Sequence, residues 1–174
     1  MQENIALVQN GFRILLPDMA GYICRELSRV YKNGWWQEVL TALSDQYDLP
    51  SSGEYAELQD SLDVANCLRL IDRRWNDVFR SKLSKDYRTW ATELMGVRNK
   101  VAHLGMQDIA QADAERALDT MARLCDGFDS DGAEEIRALY RKLRYGSEDA
   151  STSSAPAKET TPTGKSKTVA AVLG

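Results

Sequence analysis

The sequence of 174 residues contains a single histidine, only three cysteines and only four prolines. One histidine excludes every metal site that needs two, so histidine chemistry must use His103 or be absent. Cys24, Cys67 and Cys125 lie far apart and lack a CxxC spacing, which disfavours both a disulfide framework and a zinc site. We expect them to be small buried residues in a reducing cytoplasm, and we expect no metal ion or other cofactor.

Long apolar runs are also absent. The first residues, MQENIALVQNGFRILLP, lack a basic region, and Asn10, Arg13 and Pro17 interrupt their apolar run. This pattern is not that of a signal peptide. No stretch approaches the ~20 apolar residues that a membrane span requires. We therefore expect a soluble cytoplasmic protein that does not use a membrane.

Neither sign of charge dominates the chain, because 22 Lys and Arg residues stand against 26 Asp and Glu. The resulting net charge of −4 gives no bulk-charge argument for nucleic-acid binding. The hydrophobic fraction of 43% and the four tryptophans favour a folded core over disorder. The length suits one domain better than two.

The composition changes at Gly146. Residues 146–168 contain no apolar residue larger than alanine, so they cannot bury enough surface to offset the entropy of ordering. We interpret them as a flexible linker, which gives the fold a disordered C-terminal tail. Residues 169–174, VAAVLG, turn apolar again and predict either a natural weak tail or the truncated start of a following domain. Gly164 to Ser166 is not a phosphate-binding loop, because Glu159 occupies the position of its first glycine.

Residues 1–145 show helical periodicity throughout and no sustained β alternation. The apolar stripe from Ile5 to Tyr31 predicts a helix that Pro17 divides or kinks. Residues 44–60 predict a loop with at most one helical turn. The further helices are predicted to begin at Trp35, Ser61, Ser84, Asp108 and Ser130. The fold class is therefore an all-α bundle of five to six helices.

The segment VRNKVAH concentrates the residues that carry chemistry. Asn99 and His103 are four residues apart and share a helix face. Arg98 lies about 140° round the helix from His103, so the two converge on one ligand only near a helix end or across an interface. Gly105 is suited to end the helix there. Metal-free RNA cleavage needs a proton-transferring histidine and a phosphate-neutralising arginine, since the 2′-hydroxyl of RNA supplies the nucleophile.

The charge is distributed unevenly along the chain. From Arg69 to His103 there are nine basic and four acidic residues, whereas residues 106–136 contain two basic and nine acidic ones. This asymmetry favours phosphate contact on the first segment and disfavours it on the second. The alternative is that the cations line solvated helix faces. The corresponding alternative for His103 is a favourable charge at a helix C-terminus.

The string RNKVAH resembles the R-x4-6-H signature of HEPN domains, small helical bundles often used as metal-independent endoribonucleases. The flanking residues are similar to one branch, which is named after a yeast endonuclease of messenger-RNA quality control. Its patterns ELxxxYGxxWW, WxxVF, ELxxVRNxxAH and ALDTMxRLL resemble this chain over roughly residues 12–128. The similar positions are Glu26, Leu27, Tyr31, Trp35, Trp36, Trp75, Val78, Phe79, Glu93, Leu94, Val97, Arg98, Asn99, Ala102, His103 and 117–124.

The resemblance implies a homodimer in which two Arg/His pairs face one another in a shared cleft that binds RNA. It implies that His103 acts on the 2′-hydroxyl or the leaving oxygen, and that Arg98 stabilises the developing phosphorane charge. Asn99 would orient the histidine or the phosphate. The implied products are a 2′,3′-cyclic phosphate and a 5′-hydroxyl, formed without a metal ion.

One subgroup of the family is regulated by adenylylation of a tyrosine two residues after the histidine. Gly105 stands at that position here, so the resemblance does not imply this regulation. Members of the branch also occur as front domains of large ATPases and defence proteins. This implies a downstream ATPase or effector domain and a role in a toxin or defence system. Two functions stay open: an RNA-cleaving module, and a non-catalytic module for dimerisation or RNA binding.

Other residues have simpler interpretations. Trp35, Trp36, Trp75 and Trp90 could stack on bases, but their positions in apolar stripes favour core packing. Glu93, five residues before the arginine of the motif, could pair with that arginine or support catalysis. An ordinary solvated helix carboxylate is the interpretation we favour for it.

Overall fold

The structure is a computed structural model that describes residues 3–46 and 48–153. Within this part the chain forms seven α-helices and no strand, which confirms the all-α class. The helices are α1 (Glu3–Tyr31), α2 (Trp35–Ala42), α3 (Tyr55–Asp60), α4 (Val64–Arg73), α5 (Lys85–His103), α6 (Gln111–Asp126) and α7 (Gly132–Ser153). A 3-10 turn at Lys32–Gly34 joins α1 to α2, and a π-helical turn at Trp75–Phe79 follows α4.

Six of these helices correspond to the six predicted segments, and α3 is the additional one. It lies within residues 44–60, which we expected to form a loop with at most one helical turn. A reciprocal capping box starts α3, in which the backbone N–H of Glu54 donates to Glu57 Oε1 at 3.0 Å. The two glutamates three residues apart were the sequence signal for this helix, and Leu58 anchors it in the core.

Pro17 does not divide α1, which runs over 29 residues as one helix. A proline inside a helix removes one backbone hydrogen bond and costs about 3 kcal/mol. Leu15 and Met19 are fully buried on either side of Pro17, so both halves of the helix are packed against the same core. Packing on both sides thus offsets the local cost and keeps the helix continuous.

The long helix α1 is the centre of the bundle and contacts α2, α3, α4 and α6. The helix that carries the predicted site, α5, packs between α4 and α6. The fully buried side chains that join these helices include Leu15, Met19, Ile23, Leu27, Leu68, Leu70, Ile71, Leu94, Leu118 and Met121. Three of the four tryptophans, Trp35, Trp36 and Trp75, are buried in this core, as predicted. Trp90 is half-buried.

All three cysteines are buried and free, as expected for small core residues. Burial raises the pKa of the Cys24 thiol to about 12 and that of Cys125 to about 11. It also raises the pKa of Cys67. The three side chains are therefore thiols at neutral pH, a form that is a poor nucleophile.

Residues up to Arg144 form one compact unit. The last helix, α7, continues to Ser153, so the first residues of the segment predicted as a linker are helical. Residues 154–174 lie outside the described part of the chain, and the linker, the tail and the following domain stay predictions.

The helices α1 and α6 pack closely at Gly11, which is buried. A Cβ atom at this position would lie 2.7 Å from Met121 Sδ and 2.8 Å from Leu118 Cδ2. These distances are shorter than van der Waals contact, and both neighbouring side chains are fully buried. Only glycine therefore allows the two helices to approach this closely.

We expect Gly11→Val to lower the free energy of unfolding by about 1–3 kcal/mol, because the added methyl groups overpack the contact between α1 and α6. The matched control is Gly96→Val in α5, where an added Cβ meets no atom within 4 Å. This control should change the free energy of unfolding by less than about 0.5 kcal/mol. Urea unfolding of both variants makes the comparison, and equal losses would contradict the tight packing at Gly11.

Candidate active site

All three predicted site residues lie on α5. The helix starts directly after Ser84 and ends at His103, two residues before Gly105. Gly105 has a φ of 63°, a left-handed conformation that glycine adopts readily and that terminates helices. His103 is consequently the last residue of the helix, with its side chain exposed to solvent.

The helix α5 lies at the surface of the bundle. Only Ala91 and Leu94 of its 19 residues are buried. Tyr87, Trp90 and Val97 are half-buried. A helix with so shallow a buried face presents most of its length to solvent, and the motif lies on this accessible part.

The structure brings Arg98 and Asn99 together but not His103. Arg98 Nη1 donates a hydrogen bond to Asn99 Oδ1 at 3.3 Å, and Arg98 is half-buried while Asn99 is exposed. His103 makes no hydrogen bond or ion pair with residues of the described part. His103 lies five positions after Arg98 in the helix, which corresponds to about 140° of rotation and about 7.5 Å of rise. The two side chains therefore leave α5 in different directions.

Arg98 borders a pocket of about 370 Å³ between α1, α4 and α5, which we call the Arg98 pocket. Its lining residues are Gln9, Phe12, Leu16, Asp63, Val64, Ala65, Arg98, Val101 and Ala102. Within the described residues, the guanidinium of Arg98 forms no ion pair with a carboxylate. An arginine that forms no ion pair at the edge of an open pocket is suited to bind an anion.

The basic segment 69–103 is largely neutralised by other parts of the fold. Five of its nine cations pair with carboxylates, and four of those carboxylates lie outside the segment. The pairs are Arg73–Asp45, Arg74–Glu38, Lys82–Glu26, Arg88–Asp72 and Lys100–Asp113. For these five the solvated-face alternative describes the structure better than a phosphate surface does. Arg98 is one of the four cations that keep no ion pair within the described chain, with Arg69, Arg80 and Lys85.

The loop after His103 is fixed by Asp108, which does not open α6 as we predicted. That helix begins at Gln111, and the carboxylate of Asp108 instead accepts hydrogen bonds at the start of α1. The backbone N–H groups of Asn4 and Ile5 donate to it at 3.1 and 2.8 Å, and that of Ile109 at 2.9 Å. Burial of this carboxylate favours its neutral form, but the three donors outweigh burial and lower the pKa of Asp108. The carboxylate thereby caps α1 from a distant part of the chain and holds the end of α5 in place.

Glu93 is neither a solvated carboxylate nor a partner of Arg98, and our interpretation of it was wrong. Arg116 Nη2 of α6 lies 2.8 Å from Glu93 Oε1, and the buried Thr120 hydroxyl donates to Oε2 at 2.6 Å. The hydrogen bond from Arg116 is the main reason that the pKa of Glu93 lies below its usual value of 4.5. Glu93 thus joins α5 to α6 one and a half turns before the motif.

Among the residues that the structure describes, no group of three or more His, Cys, Asp or Glu side chains is arranged to bind a metal ion. None of the helices in the same part combines the length and apolarity of a membrane span.

We expect Glu93→Gln to lower the free energy of unfolding by about 1 kcal/mol at neutral pH, after allowance for the exposure of Arg116. The depressed pKa means that ionised Glu93 stabilises the fold above pH 4.5, and that this stabilisation is lost as the pH falls through the folded-state pKa. Urea unfolding should therefore distinguish the variant from wild type at about pH 7 but hardly at about pH 3.

The control for this measurement is Asp119→Asn, which removes an exposed pair with Arg123 on a single helix. This variant should lower the free energy of unfolding by less than about 0.5 kcal/mol at either pH. A Glu93→Gln difference that persists undiminished in acid would show that the carboxylate is not the stabilising form.

One comparison with known proteins gives a match. The family model described as Swt1-like HEPN matches residues 10–129. No curated protein and no solved structure matches the chain. The matched range covers more than half of the chain and contains α2 to α6 together with Arg98, Asn99 and His103. This match agrees with the helical bundle and with the R-x4-6-H spacing at the end of α5. The chain therefore belongs to the Swt1-like HEPN family.

Proposed function

We propose that the protein is a metal-independent endoribonuclease that cleaves RNA through the substrate's own 2′-hydroxyl. The observation that carries this proposal is the end of α5. There an exposed histidine and a half-buried arginine without a carboxylate partner border open space, in a chain of the HEPN family. These are the two groups that metal-free cleavage requires, a proton acceptor and a fixed positive charge.

In the proposed reaction His103 accepts the proton of the 2′-hydroxyl, and the freed oxygen forms a bond to phosphorus. The bond from phosphorus to the 5′-oxygen breaks, and that oxygen takes up a proton from water. The products are a 2′,3′-cyclic phosphate and a 5′-hydroxyl. Arg98 stabilises the charge that develops on the phosphorane oxygens.

The contact between Asn99 and Arg98 supports a more specific role for Asn99 than the sequence suggested. Asn99 Oδ1 accepts a hydrogen bond from Arg98 Nη1, so the amide orients the guanidinium toward the phosphate. The resemblance to the family left the role of Asn99 open between orienting the histidine and orienting the phosphate. We therefore assign Asn99 as a positioning residue for Arg98 and not as a group that transfers protons.

The positions of Arg98 and His103 on α5 support a homodimer with a composite site. Arg98 and His103 of one chain leave α5 about 140° apart, so a second copy brings an arginine and a histidine onto one phosphate more directly than a single copy does. If two copies pack through α5, the arginine of one lies beside the histidine of the other. The shallow burial of α5 and the 94% exposure of Met106 beyond its end support this arrangement.

The angular separation of Arg98 and His103 on α5 also favours one alternative, a non-catalytic module for dimerisation or RNA binding. A chain that only dimerises or holds RNA needs no convergence of Arg98 and His103. For either role we propose RNA as the partner, a cytoplasmic location and a place at the front of a toxin or defence-type protein with an ATPase or effector domain. The family description supports the branch of the yeast messenger-RNA quality-control endonuclease by name.

We expect His103→Ala to reduce RNA cleavage by the purified chain at least ~100-fold, because it removes the general base. Arg98→Ala should reduce cleavage by about 10²–10³, because it removes the charge that stabilises the phosphorane. Mapping of the fragment ends should give 2′,3′-cyclic phosphates, and cleavage should persist in EDTA.

The matched control is Lys100→Ala, which removes one positive charge from the same helix between the two site residues. Lys100 is exposed and already pairs with Asp113, so this variant should retain cleavage within a few-fold of wild type. Equal cleavage by wild type and His103→Ala, or dependence on a metal ion, would contradict the nuclease. RNA binding without cleavage would favour the alternative.

A further inference from the structure

The Arg98 pocket has the lining of a site for a partly apolar ligand with an anionic group. Phe12, Leu16 and Val101 form apolar walls, and Phe12 is almost completely buried. Gln9, Asp63 and Arg98 supply the polar groups. A volume of about 370 Å³ is within the range of small-ligand sites, which are mostly apolar with a few polar groups that fix orientation.

Asp63 is the polar group whose position is best defined. Its Oδ1 accepts the backbone N–H of Asn66 at 2.7 Å, and its own N–H donates to Asn66 Oδ1 at 3.0 Å, which forms a capping box at the start of α4. The second carboxylate oxygen forms no hydrogen bond with residues in the described part. The capping bonds therefore fix a charged acceptor that still has free capacity at the pocket.

The charges favour a nucleotide over an apolar side chain of a second copy. An aliphatic side chain in this pocket would remove Arg98 and Asp63 from water without pairing either of them, which is costly. A nucleotide satisfies both, because its phosphate meets the arginine and the donors of its base meet the carboxylate. The apolar walls then cover the faces of the base, as in other sites that bind single-stranded RNA.

We propose that the Arg98 pocket binds the guanine base next to the scissile phosphate, an inference that rests on the proposed ribonuclease activity. Guanine carries two adjacent donors, N1–H and N2–H, on its Watson–Crick edge. Adenine, cytosine and uracil each offer one donor group there, so a carboxylate accepts guanine best. Gln9 donates to the guanine O6. Asp63 is thus a specificity residue that does not take part in the bond-breaking steps.

The test is the cleavage pattern of Asp63→Asn on an RNA that contains all four nucleotides. Asparagine caps a helix about as well as aspartate, so the variant should fold, and thermal unfolding checks this. The wild type should cut preferentially beside guanine. The ratio of cleavage beside guanine to cleavage beside adenine should fall at least ~10-fold in the variant, since one good base contact gives that discrimination.

The matched control is Asp60→Asn, which makes the same charge change three residues away at the exposed end of α3. It should leave the ratio unchanged. If Asp63→Asn does not fold, Leu16→Trp fills the pocket from α1 and should produce the same loss of guanine preference. A wild type without guanine preference, or a ratio that the folded pocket variants leave unchanged, would overturn the proposal.

Titration with guanosine 3′-monophosphate and adenosine 3′-monophosphate separates failure of the pocket from failure of the nuclease. Wild type should bind the guanosine compound at least ~10-fold more tightly, and Asp63→Asn should lose this difference. Guanine selectivity without RNA cleavage would support the guanine site and contradict the proposed ribonuclease activity. RNA cleavage without guanine selectivity would support the ribonuclease activity and contradict the guanine site. If neither nucleotide binds and Leu16→Trp instead abolishes dimerisation in sedimentation, a second copy occupies the pocket and the proposal is wrong.

Discussion

The regular turn of α5 is the constraint on which the proposed site depends. It places Arg98 at the pocket between α1 and α4, and His103 at the exposed end of the helix. The two side chains leave the helix about 140° apart, and the chemistry that we propose brings them onto one ligand across two copies. A second copy is therefore part of the chemistry we propose, and the position of Arg98 determines which pocket lies beside the phosphate.

Two carboxylates hold this helix in position, and neither belongs to the catalytic motif. Glu93 bonds to Arg116 and Thr120 of α6, and Asp108 ties the loop after His103 to the first turn of α1. They restrain α5 on both sides of the motif although the helix itself buries only two residues. The bundle thus fixes an accessible helix by charged hydrogen bonds where apolar burial is small.

The local features of the fold could be predicted from the sequence, and the long-range pairings could not. The periodicity predicted α5, and Gly105 predicted its end, because both depend on neighbouring residues. Asp108 was read as the start of α6, since no local pattern shows that its partners lie more than 100 residues earlier. The basic character of residues 69–103 was overestimated for the same reason, because four neutralising carboxylates come from other elements.

The most direct test of the composite site mixes two inactive variants of the chain, Arg98→Ala and His103→Ala. In a mixed dimer one site lacks both residues and the other has an intact arginine from one copy and an intact histidine from the other. Random exchange of subunits should then restore about a quarter of wild-type RNA cleavage, because half of the dimers each carry one working site. If the two inactive variants stay inactive after complete subunit exchange, Arg98 and His103 do not form a site across two copies, and the central claim is wrong.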